Sequence, residues 1–126
     1  MPHSSPLALA FPELYQLEQL INQHPQHIRA QSLATIQVNH HALPIWAIEI
    51  GSQAANVPTI GLFGGVHGME RIGSQILLAW LENLLARCQW DNSLLHLLST
   101  VRLVCIPLLN VGGLLNSTRS NPNVWI

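Results

Sequence analysis

His67 and Glu70 stand three residues apart, directly after Gly64 and Gly65 and at the start of a helical pattern. At this spacing both side chains lie on one side of a helical turn, where an imidazole nitrogen and a carboxylate can bind the same zinc ion. The glycines let the backbone turn sharply and leave room beside the metal for a substrate. In the alternative interpretation, His67 caps the start of the helix and Glu70 is only a favourable first-turn carboxylate. The preceding strand and glycine pair favour the metal site.

A catalytic zinc site needs three protein ligands, and the sequence offers two at recognisable positions. Ser74 and Cys88 have no paired base in the sequence, so no nucleophilic triad is predicted. No catalytic residue is therefore assigned. His67 and Glu70 are the predicted metal ligands.

Hydrophobic periodicity predicts strands and helices in alternation, as in an α/β fold with a parallel or mixed sheet. The expected helices are Pro12 to about His24, Glu70–Cys88 and a helix capped by Asp91 that runs through Ser99. The expected strands are the pair Ser32–Asn39 and Leu43–Ile50, then Thr59–Val66 and Val101–Leu108. Because Thr59–Val66 is a continuous apolar run, we expect a central strand buried on both faces.

His67 and Asn110 follow the two apolar strands, at their carboxyl ends. Ligands of open α/β sheets bind beyond these strand ends, so we expect the site there. Asn110–Gly113 reads as a loop with a tight turn. Arg119 could bind an anionic substrate group through its fork of donors, or be solvated in a polar segment.

The chain has 126 residues, of which 48% are hydrophobic and 9% charged, with a formal net charge of −1. This length predicts one domain, which we place at residues 11–126 after a flexible tail over 1–10. The charge argues against nucleic acid. No apolar run reaches the roughly 18 residues of a membrane span, and no leader pattern is visible, so a cytoplasmic location is expected. Cys88 and Cys105 are expected to be reduced core residues.

Three segments between Pro58 and Asn123 together resemble the zinc carboxypeptidase family, that is, the carboxypeptidase A-like metallocarboxypeptidases. They are the metal motif Gly64–Glu70, the strand and turn Ile106–Gly113, and the arginine segment Thr118–Asn123. The resemblance implies a three-layer α/β/α fold with a mixed sheet, of which this chain is the first half. It further implies zinc bound by His67 and Glu70, with Arg119 binding the substrate. The implied activity is cleavage of a C-terminal amide in a peptide or an acyl-amino acid.

The chain departs from the family pattern at several places. Val111 and Gly112 replace the usual Pro and Asp, and the family's second zinc histidine and general base glutamate have no match here. Family members usually continue Asn-Gly-Val-Asp-Leu where this chain reads Asn123–Ile126. One deleted guanine can convert codons for the usual segment into Asn-Val-Trp-Ile and a stop. We therefore expect a truncated form that has an incomplete zinc site and lacks full activity. The alternative is a chain that was cut deliberately at a domain edge.

A truncated sandwich would expose apolar faces and a sheet edge, which predicts self-association and accounts for the low charge. Two other functions stay open. The chain could be a non-catalytic α/β interaction or structural module in which Glu70 is a helix cap. It could also build a metal site across a dimer with His40 or His41.

Overall fold

A computed structural model describes residues 10–67 and 71–116. Its helices are α1 (Pro12–Gln23), α2 (Arg71–Arg87), α3 (Asn92–Leu98) and α4 (Val111–Asn116). Its strands are β1 (Arg29–Val38), β2 (His41–Gly51), β3 (Thr59–Phe63) and β4 (Arg102–Ile106). The strands form one sheet in the order β1-β2-β4-β3, antiparallel except for the parallel pair β3 and β4. The predicted α/β fold with a mixed sheet is therefore confirmed. The predicted tail lies almost wholly outside the described residues.

A hairpin joins β1 to β2 at Asn39 and His40, close to the predicted position. Both residues have positive φ, 50° and 68°. A two-residue turn with both φ angles positive matches the right-handed twist of the flanking strands. The antiparallel register shifts between Ser32 and Ala34. Leu33, at this irregularity, is exposed.

The position of β3 in the sheet differs from the prediction. β3 pairs with β4 alone among the described strands, and Ile60 and Phe63 are 47% and 59% exposed. The strands with a neighbour on each side are β2 and β4, and in β4 Leu103 and Cys105 are buried. The prediction of a central strand buried on both faces was wrong for β3, because an apolar run does not specify which neighbours a strand has.

The core joins the helices to the sheet. Its buried side chains come from every helix and from three strands, and they include Leu17, Leu43, Ile48, Leu78, Leu81, Leu98, Cys105 and Leu114. Alternation along β2 places Leu43 and Ile45 on the face opposite Ile48 and Ile50, so both faces of this strand contribute buried side chains. Two-sided burial is expected of a strand inside a layered α/β fold.

Only part of the apolar periodicity of α2 is buried. Ile72, Ile76 and Trp80, which share the helical period with Leu81, Leu84 and Leu85, are exposed and form a stripe with a spacing of four residues. The buried face runs through Ser74, Leu78, Leu81, Leu84 and Leu85. The helix is apolar on two faces, and periodicity alone cannot indicate which of them is covered.

The helix ends follow the predicted signals. Pro12 is the first residue of α1, where its missing N–H costs nothing. The Asp91 carboxylate accepts a hydrogen bond from the Leu94 N–H at 3.1 Å and caps α3. Within 10–67 and 71–116, no helix is long and apolar enough to cross a bilayer.

Candidate metal centre

The carboxyl ends of β3 and β4 lie side by side, as predicted. Beyond the strands the parallel pairing continues, because Leu109 donates its N–H to the Gly64 carbonyl at 3.0 Å and Asn110 donates to the Gly65 carbonyl at 2.9 Å. The segment that leads to His67 therefore runs along the segment that leads to Asn110. This juxtaposition forms the floor of the candidate site.

Asn110 connects the two segments through its side chain. It is fully buried, and its Nδ2 donates to the Val66 carbonyl at 3.3 Å. Its Oδ1 accepts from the Gly113 N–H at 3.1 Å, and its carbonyl accepts from the Leu114 N–H. Asn110 is therefore the N-cap of α4. The predicted loop over Asn110–Gly113 is in fact a helix start, because the amide side chain satisfies an orphan N–H of the first turn.

Gly64 and Gly65 allow a close approach of three elements. A Cβ on Gly64 would lie 2.7 Å from the Pro107 carbonyl oxygen. A Cβ on Gly65 would lie 2.6 Å from Ser74 Oγ and 2.7 Å from Leu114 Cδ1, and Gly65 has a φ of +66°. The sharp turn was predicted correctly. The space at the two glycines is filled by the chain itself, so the expected room for a substrate does not lie there.

Ser74 holds α2 against this turn. It is fully buried, and its hydroxyl donates to the Pro107 carbonyl at 2.7 Å. Because this hydroxyl donates its proton to a backbone carbonyl and the side chain packs against Gly65, Ser74 has a packing role. No nucleophile was predicted at Ser74. Its hydrogen bond from α2 to Pro107 was not predicted either, because the local sequence does not show which segment packs against the helix.

His67 has an unpaired ring nitrogen at the end of the β3 segment. The side chain is partly buried, and Nδ1 is buried without a hydrogen-bond partner among the described residues. A buried polar atom of this kind costs free energy unless a ligand satisfies it. Neutral imidazole nitrogen is a preferred zinc ligand, so His67 fits the predicted role.

The other predicted site residues, Glu70 and Arg119, lie outside the described residues. Over 10–67 and 71–116, no three His, Cys, Asp or Glu side chains are grouped closely enough to hold a metal ion. His40 lies in the hairpin turn, and the neighbouring Asn39 donates from Nδ2 to Asn116 Oδ1 at the end of α4, at 3.2 Å. The structure thus places one predicted ligand at the strand ends.

A buried cluster at the start of α2 had no counterpart in the sequence analysis. Glu13 is 5% exposed, and its Oε2 accepts from Gln75 Nε2 at 2.9 Å. Its Oε1 lies 3.2 Å from a terminal guanidinium nitrogen of Arg71. The two groups form an ion pair, but their geometry does not meet the criteria of a hydrogen bond. The Arg71 guanidinium carbon lies 5.8 Å from the centroid of the Phe11 ring. An acidic residue in the first turn of α1 is the only local signal for this cluster.

A model of the zinc carboxypeptidase family matches residues 14–125. Carboxypeptidase D of Anas platyrhynchos is 30% identical over 73 residues, which are 55% of this chain and 5% of that protein. Among solved structures, a candidate metallopeptidase of Shewanella amazonensis SB2B is 25% identical with a TM-score of 0.64. The match covers 88% of this chain and 36% of that structure's chain. A metallo-carboxypeptidase of Burkholderia cenocepacia is 17% identical with a TM-score of 0.66, and the match covers 83% of this chain and 27% of that one. The chain thus spans about a third of the solved structures it resembles.

Proposed function

This chain belongs to the zinc carboxypeptidase family, and from that membership we propose that it carries one part of the metal centre of a metallocarboxypeptidase-like hydrolase. The reaction class is cleavage of a C-terminal amide in a peptide or an acyl-amino acid. The observation that carries the proposal is the buried Nδ1 of His67 at the junction of the strand ends, which has no hydrogen-bond partner within residues 10–67 and 71–116. The sequence supplies Glu70 three residues later.

His67 and Glu70 would hold the zinc ion, and Arg119 would bind the substrate carboxylate in a bidentate manner. Bound zinc would supply a water of lowered pKa and a polarised carbonyl. Contacts among the described residues would support His67 in this role. Asn110 binds the carbonyl before His67, and Ser74 and Leu114 pack around Gly65.

We propose that the 126 residues alone have little or no hydrolase activity. A catalytic zinc site takes three protein ligands, and this sequence provides two at matching positions. A bound ion would keep more of its positions for water or buffer, and its affinity would be low. The chain would therefore bind zinc without efficient amide hydrolysis.

Zinc titration of the wild type and three variants tests this proposal. His67→Ala and Glu70→Ala should each weaken zinc binding at least tenfold, because each removes one of two ligands. The control is His96→Ala, since His96 is an exposed residue of α3 far along the chain from the motif. Its affinity should equal that of the wild type. Equal, weak binding by all four proteins would contradict the proposal.

That result would favour the second candidate function, a non-catalytic interaction module. Its support is a set of exposed apolar side chains, which are Ile60 and Phe63 on β3 and the stripe Ile72, Ile76 and Trp80 on α2. Large exposed apolar patches mark protein interaction sites. The predicted self-association belongs to this surface and is tested separately below.

A further inference from the structure

Glu13 is a buried carboxylate that the proposed metal site does not use. The residue lies in the first turn of α1, yet its side chain is only 6% exposed. A carboxylate withdrawn from water is costly unless charges or donors compensate it. Both compensating groups, Arg71 and Gln75, come from one short stretch of α2. The burial of Glu13 is therefore tied to the position of that stretch.

The stretch is the beginning of the helix that follows the metal motif. Arg71 is the residue directly after Glu70, and Gln75 lies four residues further, on the same side of α2. The first turn of a helix has N–H groups without intrahelical partners and is prone to fraying. Glu13 holds this turn at two points, and the Phe11 ring adds a third contact through the Arg71 guanidinium.

We propose that Glu13 is a positioning residue for the metal motif. The identity of the ion, zinc, rests on the proposed function. By fixing Arg71 and Gln75, Glu13 orders the start of α2, which follows Glu70 directly in the sequence. Order in the residues next to a ligand lowers the conformational entropy cost of metal binding. Glu13 acts through Arg71 and does not itself touch the metal.

The same two helices provide a matched control. Gln16 Nε2 of α1 donates to Glu82 Oε2 of α2 at 3.3 Å, an exposed bond of the same chemical kind. Glu82 lies about three helical turns beyond Arg71. Glu82→Gln therefore perturbs the contact between α1 and α2 without touching the start of α2.

The experiment compares Glu13→Gln with Glu82→Gln. Zinc affinity is measured by competition with a chelating dye, and amide hydrogen exchange of the metal-free chain is followed over residues 71–76. Glu13→Gln keeps an oxygen for Gln75 but removes the charge facing Arg71. It should lower zinc affinity roughly tenfold, the effect typical of groups that orient a ligand, and speed exchange at the start of α2. Glu82→Gln should change zinc affinity less than twofold and leave this exchange unaltered.

Arg71→Gln and the double variant test whether Glu13 works through Arg71. The double variant should lose no more zinc affinity than the stronger single variant. Additive losses, or equal losses in Glu13→Gln and Glu82→Gln, would overturn the proposal. If Glu13→Gln does not fold, Gln75→Ala makes the same comparison, since it removes one hydrogen bond from an exposed side chain.

Failure of the proposed function is a separate result. If the wild type and His67→Ala bind zinc equally weakly, the metal centre is wrong, and the exchange data still decide the role of Glu13. Faster exchange over residues 71–76 in Glu13→Gln alone supports the ordering of this turn. Unchanged exchange in that variant overturns it.

Discussion

The side chain of Asn110 donates from Nδ2 to the carbonyl of Val66 at 3.3 Å, and so binds the residue that precedes His67. The same side chain accepts from the Gly113 N–H and caps α4. One buried amide therefore joins the turn before the predicted metal ligand to the helix that follows β4. This bond brings together the two strand ends at which the site was expected.

Asn110→Ala should destabilise the fold by about 1–3 kcal/mol, because it removes a helix cap and leaves the Val66 carbonyl without this donor. Urea unfolding monitored by circular dichroism measures the loss. Asn116→Ala is the matched control, since that side chain is exposed and bonded to Asn39 on the surface. The control should stay within about 0.5 kcal/mol of the wild type. Equal effects of both substitutions would contradict the bridging role of Asn110.

Gly65 and Gly73 should respond in opposite directions to alanine. Gly65→Ala places a Cβ against Ser74 Oγ and Leu114 Cδ1 at a positive φ, so it should destabilise the fold by more than about 1 kcal/mol. A Cβ on Gly73, in α2, meets nothing within 4 Å. Gly73→Ala should therefore stabilise the fold by about 0.5–1 kcal/mol through helix propensity. Thermal and urea unfolding of both variants check this, and a stable Gly65→Ala would show that the turn is looser than described.

His24 should make stability depend on pH. Burial, with a smaller contribution from the nearby His27, lowers the pKa of His24 below its ordinary value of 6.5. The folded state then binds fewer protons than the unfolded state, so stability is full above pH 6.5 and falls as the pH drops from 6.5 to the lowered pKa. Urea unfolding at pH 7.5 and 5.5 should show a smaller pH-dependent loss in His24→Gln than in the wild type. An unchanged difference between the two pH values would contradict this assignment.

β3 is an edge strand of the sheet that the described residues form, and this edge should promote association with a second copy of the chain. The strand Thr59–Phe63 contains no charged residue, and exposed edges without charges readily pair with other strands. Ile60→Lys should shift the size-exclusion profile toward the monomer at equal concentration. The control is Leu33→Lys, because Leu33 is also exposed but lies at the irregularity in β1. A wild type that elutes as a clean monomer would show that this edge does not mediate association.

The local elements were predictable because capping residues and periodicity encode them. Pro12, Asp91 and the strand pair joined at His40 all lie where the sequence placed them. The placement of β3 at the sheet edge was not predictable, because apolar character does not specify neighbours. Glu13 was missed for a related reason, since its partner Gln75 lies 62 residues away and no local pattern connects them.

The candidate site was predicted in the same uneven way. The meeting of the His67 and Asn110 segments followed from parallel strands ending at one edge. The capping role of Asn110 and the packing of Ser74 against Gly65 depend on α4 and α2 lying close together. Such contacts depend on tertiary packing, so they cannot be predicted from residue spacing along the chain.

We propose that His67 binds zinc through Nδ1, the nitrogen that has no hydrogen-bond partner among the described residues. Nitrogen-15 NMR of the imidazole side chains during zinc titration tests it directly. We predict that the Nδ1 resonance of His67 moves to the shift of a metal-bound nitrogen while its Nε2 carries the proton. The histidines on the surface should respond at most weakly. An unchanged His67 at zinc concentrations that shift another histidine would contradict the account.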